Sequence, residues 1–206
     1  PEKPKDPPVI SLTAGGKPIE NNTICIGVGK GPMITAVIRP DEYRNDKITW
    51  SEDKIARADD NTASDGHDVY LYGLAPGETT ITATTESGGK VELTVIVTGI
   101  TSSADSLTIK ENSVATLYDY DGDPGPGAND FWLRYFGDAA TSSEIKISSD
   151  KPNIARATGK AKGALRIDGI AAGRATVTVQ VLQGGQPVAM KEISVIVETN
   201  EAQTIE

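Results

Sequence analysis

Ile55-Ala56-Arg57-Ala58 returns 99 positions later as Ile154-Ala155-Arg156-Ala157, and the reading of the whole chain follows from that recurrence. Outward from it, Gly73-Leu74-Ala75-Pro76-Gly77 returns 96 positions on as Gly169-Ile170-Ala171-Ala172-Gly173. Thr79-Thr80-Ile81-Thr82-Ala83 matches Ala175-Thr176-Val177-Thr178-Val179, and Val95-Ile96-Val97 matches Val195-Ile196-Val197, 100 positions on. Landmarks in one order, with offsets differing by a few positions, define two copies of one unit. The 206 residues therefore divide into halves near ordinary domain size, each long enough to bury its own core.

Each unit is built of short alternations. Thr80-Ile81-Thr82-Ala83-Thr84 and Val91 to Val97 repeat with period two, the mark of a half-buried strand. Between them Glu86-Ser87-Gly88-Gly89-Lys90 reads as a hairpin turn, since glycine supplies the positive φ of tight connections. No helical periodicity extends beyond a turn. Short strands at regular spacing with turn signals predict an all-β sandwich. Leu71, Leu74, Ile81, Ala83, Leu93, Val95 and Val97 are expected to point inward around Trp50. Their counterparts are Ile167, Ile170, Val177, Val179, Ile193, Val195 and Val197.

The succession Ile48-Thr49-Trp50-Ser51, Ile55-Ala56, Gly73 to Gly77 and Thr80-Ile81-Thr82-Ala83 resembles the bacterial Ig-like domain of group 2. The resemblance covers most of residues 9–98 and, more loosely, 101–198; in the second copy Ile147 stands where Trp50 does. It implies two tandem immunoglobulin-like β-sandwiches, domain 1 over 9–98 and domain 2 over 99–199. Residues 1–8, charged and proline-rich, read as an extended tether, and 200–206 as a C-terminal tail. The family occurs in bacterial surface and secreted proteins, as spacer and adhesion modules, and also on phage virions.

Composition removes several function classes. The net charge of −9 and the scattered basic residues argue against a nucleic-acid partner. No run of about 18 apolar residues is present, so no transmembrane helix is expected. A single cysteine and a single histidine leave neither an internal disulfide nor a Cys/His zinc cluster. Cys25, within Ile24-Cys25-Ile26, is expected to be a buried inert thiol, and His67 an exposed loop residue. Without a partner for that histidine the usual nucleophilic triads cannot form, and the chain is expected not to be an enzyme.

Residues 118–136 break the symmetry of the copies. Tyr118 to Gly127 is rich in Gly, Pro and Asp and reads as a loop. Asp119, Asp121, Asp123 and Asp130 alternate in the manner of a calcium loop, since hard cations favour several carboxylates. Against that, Pro124 occupies the place where an EF-hand needs glycine, and the final glutamate is missing. A solvated loop shaped by proline and glycine, with no cofactor, is the expectation set beside calcium.

The strand that follows, Phe131-Trp132-Leu133-Arg134-Tyr135-Phe136, corresponds to Ile34 to Arg39 in the first copy. In the family pattern the Ile34, Ala36 and Ile38 positions face the core. The resemblance thus implies Phe131, Leu133 and Tyr135 inward, and Trp132, Arg134 and Phe136 outward beside Tyr120. Such a row is a candidate binding surface for a protein or a glycan; the alternative is that it packs beneath the long loop or against the first domain. The expected function is a non-catalytic spacer and adhesion module at the bacterial cell surface or outside the cell. In the full-length protein it could be held by a lipid anchor on a removed N-terminal segment. The alternatives are a carbohydrate-associated module of a larger enzyme and a phage virion accessory domain.

Overall fold

The computed structural model describes residues 6–59, 65–120 and 130–200, and the chain forms two compact units, Pro1–Thr98 and Gly99–Glu206. In the first unit the strands are β1 (Val9–Ala14), β2 (Lys17–Pro18), β3 (Thr23–Ile26), β4 (Gly29–Arg39) and β5 (Ile48–Trp50). They are followed by β6 (Ala56–Asp59), β7 (Asp68–Gly73), β8 (Gly77–Thr85) and β9 (Lys90–Val97). One sheet runs β2-β1-β4-β7-β6 and the other β3-β9-β8-β5. Apart from the two-residue β2, this is the A-B-E-D sheet of an immunoglobulin sandwich facing C-F-G, with β3 added in parallel beside β9.

The second unit repeats the plan with one change. Its strands are β10 (Gly99–Ser102), β11 (Ser106–Lys110), β12 (Val114–Asp119), β13 (Phe131–Phe136) and β14 (Glu144–Ser149). A one-turn helix, α1 (Asp138–Thr141), precedes β14, and β15 (Ala155–Thr158), β16 (Leu165–Gly169), β17 (Gly173–Gln183) and β18 (Gln186–Glu198) complete the unit. The sheets run β10-β13-β12-β16-β15 and β11-β18-β17-β14. The long β4 of the first unit is here cut in two. β12 keeps the pairing with β16, as β4 pairs with β7, while β13 keeps the pairing with β10, as β4 pairs with β1. The halves overlap in parallel, Leu117 beside Phe131 and Asp119 beside Leu133. Both Leu117 and Phe131 therefore fill the place that Ile34 holds alone in the first unit.

Alternation along the strands builds two separate cores. Ile34, Leu71, Ile81, Leu93 and Val95 are fully enclosed in one, and Leu117, Leu133, Ile167, Val179 and Ile193 in the other. The recurring landmarks meet in space. The Ile55 carbonyl accepts from Leu74 N at 2.7 Å and Ala75 N at 3.3 Å; the Ile154 carbonyl accepts from Ile170 N at 2.8 Å and Ala171 N at 3.3 Å. A Cβ on Gly77 would lie 2.8 Å from Ile55 Cδ1, and one on Gly173 2.9 Å from Ile154 Cδ1. The two motifs recur together because one packs on the other.

Leu74 and Ile170 do not point inward; they are 45% and 41% exposed. Period two explains it: Leu71 and Gly73 take the inward places, as do Ile167 and Gly169, so the next residue faces water. Trp50 is not the centre of its core but half-buried on the edge strand β5, its indole N–H donating to Gly66 O at 2.9 Å. Ile147 does occupy the matching place. Trp50 lies opposite Ala83, and Ile147 opposite Val179, so the larger residue on one strand meets the smaller on the other.

Cys25 is exposed rather than buried. Ile24 and Ile26 turn toward the core on the short strand β3, and the residue between them must face out, its thiol 3.2 Å from Thr98 Oγ1. His67 is half-buried, its Nε2 2.8 Å from Asp46 O. Pro8, read as part of the tether, is buried beside the turn at Gly89, where an added Cβ would come within 2.4 Å of Pro8 O. At the other end Asn200 Nδ2 donates to Glu111 O at 3.0 Å; residues 1–5 and 201–206 lie outside the described residues. No helix among the described residues is long and apolar enough to cross a membrane.

Candidate functional site

β13 alternates inward and outward. Phe131, Leu133 and Tyr135 are buried, Trp132 and Phe136 half-buried, and Arg134 exposed on the outer face. On one side β10 sets small residues against that face, Thr101 opposite Arg134 and Gly99 opposite Phe136. Ser103 ties the strand down at its start, its N–H donating to Trp132 O at 3.0 Å and its hydroxyl accepting from Trp132 N at 3.2 Å. On the other side β12 places Tyr118 beside Trp132, and the ladder runs on with Tyr120 N donating to Leu133 O at 2.8 Å.

These registers bring the outer side chains into contact. The Tyr120 and Trp132 ring centroids are 4.9 Å apart with their planes inclined at 39°. The Arg134 guanidinium carbon lies 4.9 Å from the centre of the Phe136 ring and 5.8 Å from that of Tyr120, within reach of a cation–π attraction to both. No carboxylate among the described residues pairs with Arg134. Tyr120, Trp132, Arg134 and Phe136, singled out from the sequence, thus form one contiguous cluster. Tyr118 belongs with them, 41% exposed, and was assigned to the loop by composition. The signal that finds it is the strand register: Val114 to Tyr118 continues the alternation that leads to the buried Leu117.

Beneath the end of this sheet lies a polar knot. Lys162 Nζ donates to Ala139 O at 2.6 Å and Ala140 O at 2.8 Å, and sits 4.6 Å from the Tyr135 ring centre. Burial pulls the Lys162 ammonium below its ordinary range, with the Asp119 carboxylate acting the other way. Burial pushes the Tyr135 phenol well above its usual value, and Asp119 adds to that push. Asp119 therefore acts on the inner side of β12, across the strand from the aromatic cluster.

Asp130 is half-buried just before β13, and Asp121 and Asp123 lie outside the described residues. Among the described residues no group of three or more His, Cys, Asp or Glu side chains is placed to hold a metal ion.

No protein-family model matches the chain. Over 92 residues it is 33% identical to an α-L-arabinofuranosidase of Bifidobacterium longum subsp. longum, which covers 44% of this chain and 8% of that protein. Over 107 residues it is 29% identical to a lacto-N-biosidase of Bifidobacterium bifidum, covering 48% of this chain and 9% of the other. The chain spans less than a tenth of the length of these curated relatives. Among solved structures it is similar to the D00-D0 domain of intimin, at TM-score 0.41 and 12% identity, over 91% of this chain and 100% of that one. It is also similar to domains 1–6 of the surface layer protein SbsC, at TM-score 0.37 and 13% identity, over 97% and 29%. The immunoglobulin-like fold rests on the strand order within each unit, and scores of this size add no argument about function.

Proposed function

We propose that the chain is a non-catalytic immunoglobulin-like tandem within a longer bacterial surface or secreted protein, acting as a spacer and adhesion unit. Its contact surface is the outer face of β12 and β13. The observation that carries this reading is the alternation on β13: three residues serve the core, and the other three face out, Trp132 and Arg134 against Tyr120 and Phe136 against Arg134. Rings and a guanidinium held together on a sheet face are the side chains that dominate recognition surfaces. The double variant Trp132→Ser/Phe136→Ser tests it. If the cluster serves binding, the melting temperature stays within a few degrees of the parent while adhesion by the full-length protein falls. A large loss of stability would show a structural role instead.

A second reading, a carbohydrate-associated module of a larger enzyme, is favoured by the two curated relatives, both glycosidases by name and both matched over a small share of their length. Glycan-array binding by the isolated chain supports it, and a silent array sinks it. Calcium at Asp119, Asp121, Asp123 and Asp130 has its own test: no change in thermal midpoint at millimolar calcium removes it.

A further inference from the structure

We infer that β14 is a homotypic contact strand, whose free edge pairs with β14 of a second copy of this chain, antiparallel and about a two-fold axis at Ile145. The inference stands apart from the contact face proposed above and uses none of its residues. β14 lies at the rim of its sheet and pairs with β17 from Glu144 opposite Leu182 to Ser149 opposite Val177, without a bulge. Asp150 N donates to Thr176 O at 3.0 Å, the next rung of the same ladder. Antiparallel rungs alternate, so Ser148 and Lys146 also turn their N–H and C=O toward β17, while Ile147 and Ile145 turn theirs away. Among the described residues no hydrogen bond reaches those outward groups.

The first unit shows what such an edge takes up. There the matching strand is β5, and Ile48, in the place of Ile145, donates its outward N–H to Asp65 O at 2.7 Å. The Trp50 indole donates to Gly66 O beside it, so the chain's own backbone closes that edge. In the second unit the corresponding connection, from β15 to β16, runs only over residues 159–164, where the first unit has 60–67. Beside β14 it leaves an open groove, lined by Ser143 to Ile147 of the strand together with Gly159 and Lys160. A regular strand with its outward N–H and C=O groups unpaired is a template for another strand.

Charge along β14 selects a second copy as the occupant. Glu144 and Lys146 are both exposed, on either side of the half-buried Ile145. Because the outward groups belong to odd-numbered residues, an antiparallel copy can pair only in registers that set odd positions opposite odd ones. With Ile145 opposite Ile145 of the copy, Glu144 stands opposite Lys146 of the copy, and Lys146 opposite its Glu144. Shifting the copy by two residues one way sets Lys146 opposite Lys146; shifting it the other way sets Glu144 opposite Glu144. Opposite charges facing each other across two strands stabilise the pair, and like charges destabilise it. The strand is thus complementary to itself in one register and repelled in the two beside it, a match that an arbitrary extended peptide lacks.

Sedimentation velocity of the whole chain from about 10 μM to about 1 mM tests this, since a contact made by one pair of strands belongs with the small, weak interfaces. The expected result is a reversible monomer–dimer equilibrium within that range. Glu144→Lys and Lys146→Glu, both at exposed positions, should each raise the dissociation constant roughly tenfold or more, because each sets like charges opposite one another at both places. Mixed in equal amounts, the two variants should associate again, since each then meets the opposite charges of the other. Lys90→Glu, the same charge change at an exposed position of the first unit, should leave association unchanged. Glu144 also accepts from Gly185 N at 3.2 Å; should Glu144→Lys unfold the second unit, Lys146→Glu measured against Lys90→Glu decides the matter. A chain that stays monomeric to the top of the range overturns the inference. So does association that survives both single variants, falls equally in Lys90→Glu, or fails to return in the mixture.

Discussion

Glycine at 169 and at 173 is required for different reasons, and the two can be separated. A Cβ on Gly169 would lie 2.4 Å from the backbone carbonyl of Lys110, an atom that no side-chain change can move. A Cβ on Gly173 would meet Ile154 Cδ1 at 2.9 Å, the end of a flexible side chain, at φ 152°. Both Gly→Ala variants should lose about 1–3 kcal/mol of unfolding free energy, the usual cost of forcing extra volume into a packed site. In the Ile154→Val background the Gly173→Ala loss should shrink, because the clashing atom is gone. Trimming Ile109 should not relieve Gly169→Ala, and urea unfolding of the single and double variants checks both. Tyr135 gives a pH prediction at the same scale. Its folded pKa is raised above the ordinary 10.0, chiefly by burial. Its contribution to stability is therefore complete below pH 10 and is lost as pH rises beyond it, because the unfolded chain ionises first. Lys162, with a lowered pKa, works in the opposite sense, adding stability as pH rises through its lowered value toward 10.5. Melting temperatures of the parent and Tyr135→Phe should differ by a constant amount below pH 10. Above it the parent should fall faster; parallel curves would refute the assignment.

Strand pairs carry the next level of specification. Trp50 faces Ala83 on β8 and Ile147 faces Val179 on β17, so each unit fills a similar space with a different division of volume. Ile147→Trp alone should overpack and cost about 1–3 kcal/mol. Paired with Val179→Ala it should recover much of that, giving a favourable coupling in a double-mutant cycle measured by chemical unfolding. A coupling near zero would mean that the two places do not share a cavity. The strands themselves were legible from period two, because a sheet face that meets a core must alternate. The inward and outward sides of β13 came instead from the family resemblance, since Phe131 to Phe136 holds a single charged residue and no polar alternation. What composition hid was parity at the ends of elements. Leu74, Ile170 and Cys25 are apolar enough for a core, yet each follows a residue that already holds the inward place. Tyr118 was lost to the loop because the Gly, Pro and Asp residues after it dominate its window, although it sits in register with Trp132. That β12 and β13 overlap side by side was beyond any local pattern, since the overlap is set by two different partner strands, β16 and β10.

At the scale of the whole molecule, duplication has left two cores with no buried residue in common. Leu93 and Val95 lie in one cluster, Ile193 and Val195 in the other. The repeat motifs made this division readable, since a unit whose landmarks all recur must close its own hydrophobic surface in each copy. Each buried cluster lies within its own unit, so a cavity opened in one core is expected not to reach the side chains of the other core. Leu93→Ala and Ile193→Ala, both at fully enclosed positions, should each cost about 2–5 kcal/mol, the transfer loss plus the cavity left behind. In calorimetry the parent should unfold in two transitions or in one that resolves into two. Leu93→Ala should lower only the transition that a fragment spanning residues 6–98 reproduces, and Ile193→Ala only the one reproduced by residues 99–200. The effects should then be additive in the double variant, as they are for distant sites without shared partners. A single transition that both substitutions shift equally would show that the units unfold as one, and separate cores would then not mean separate stability.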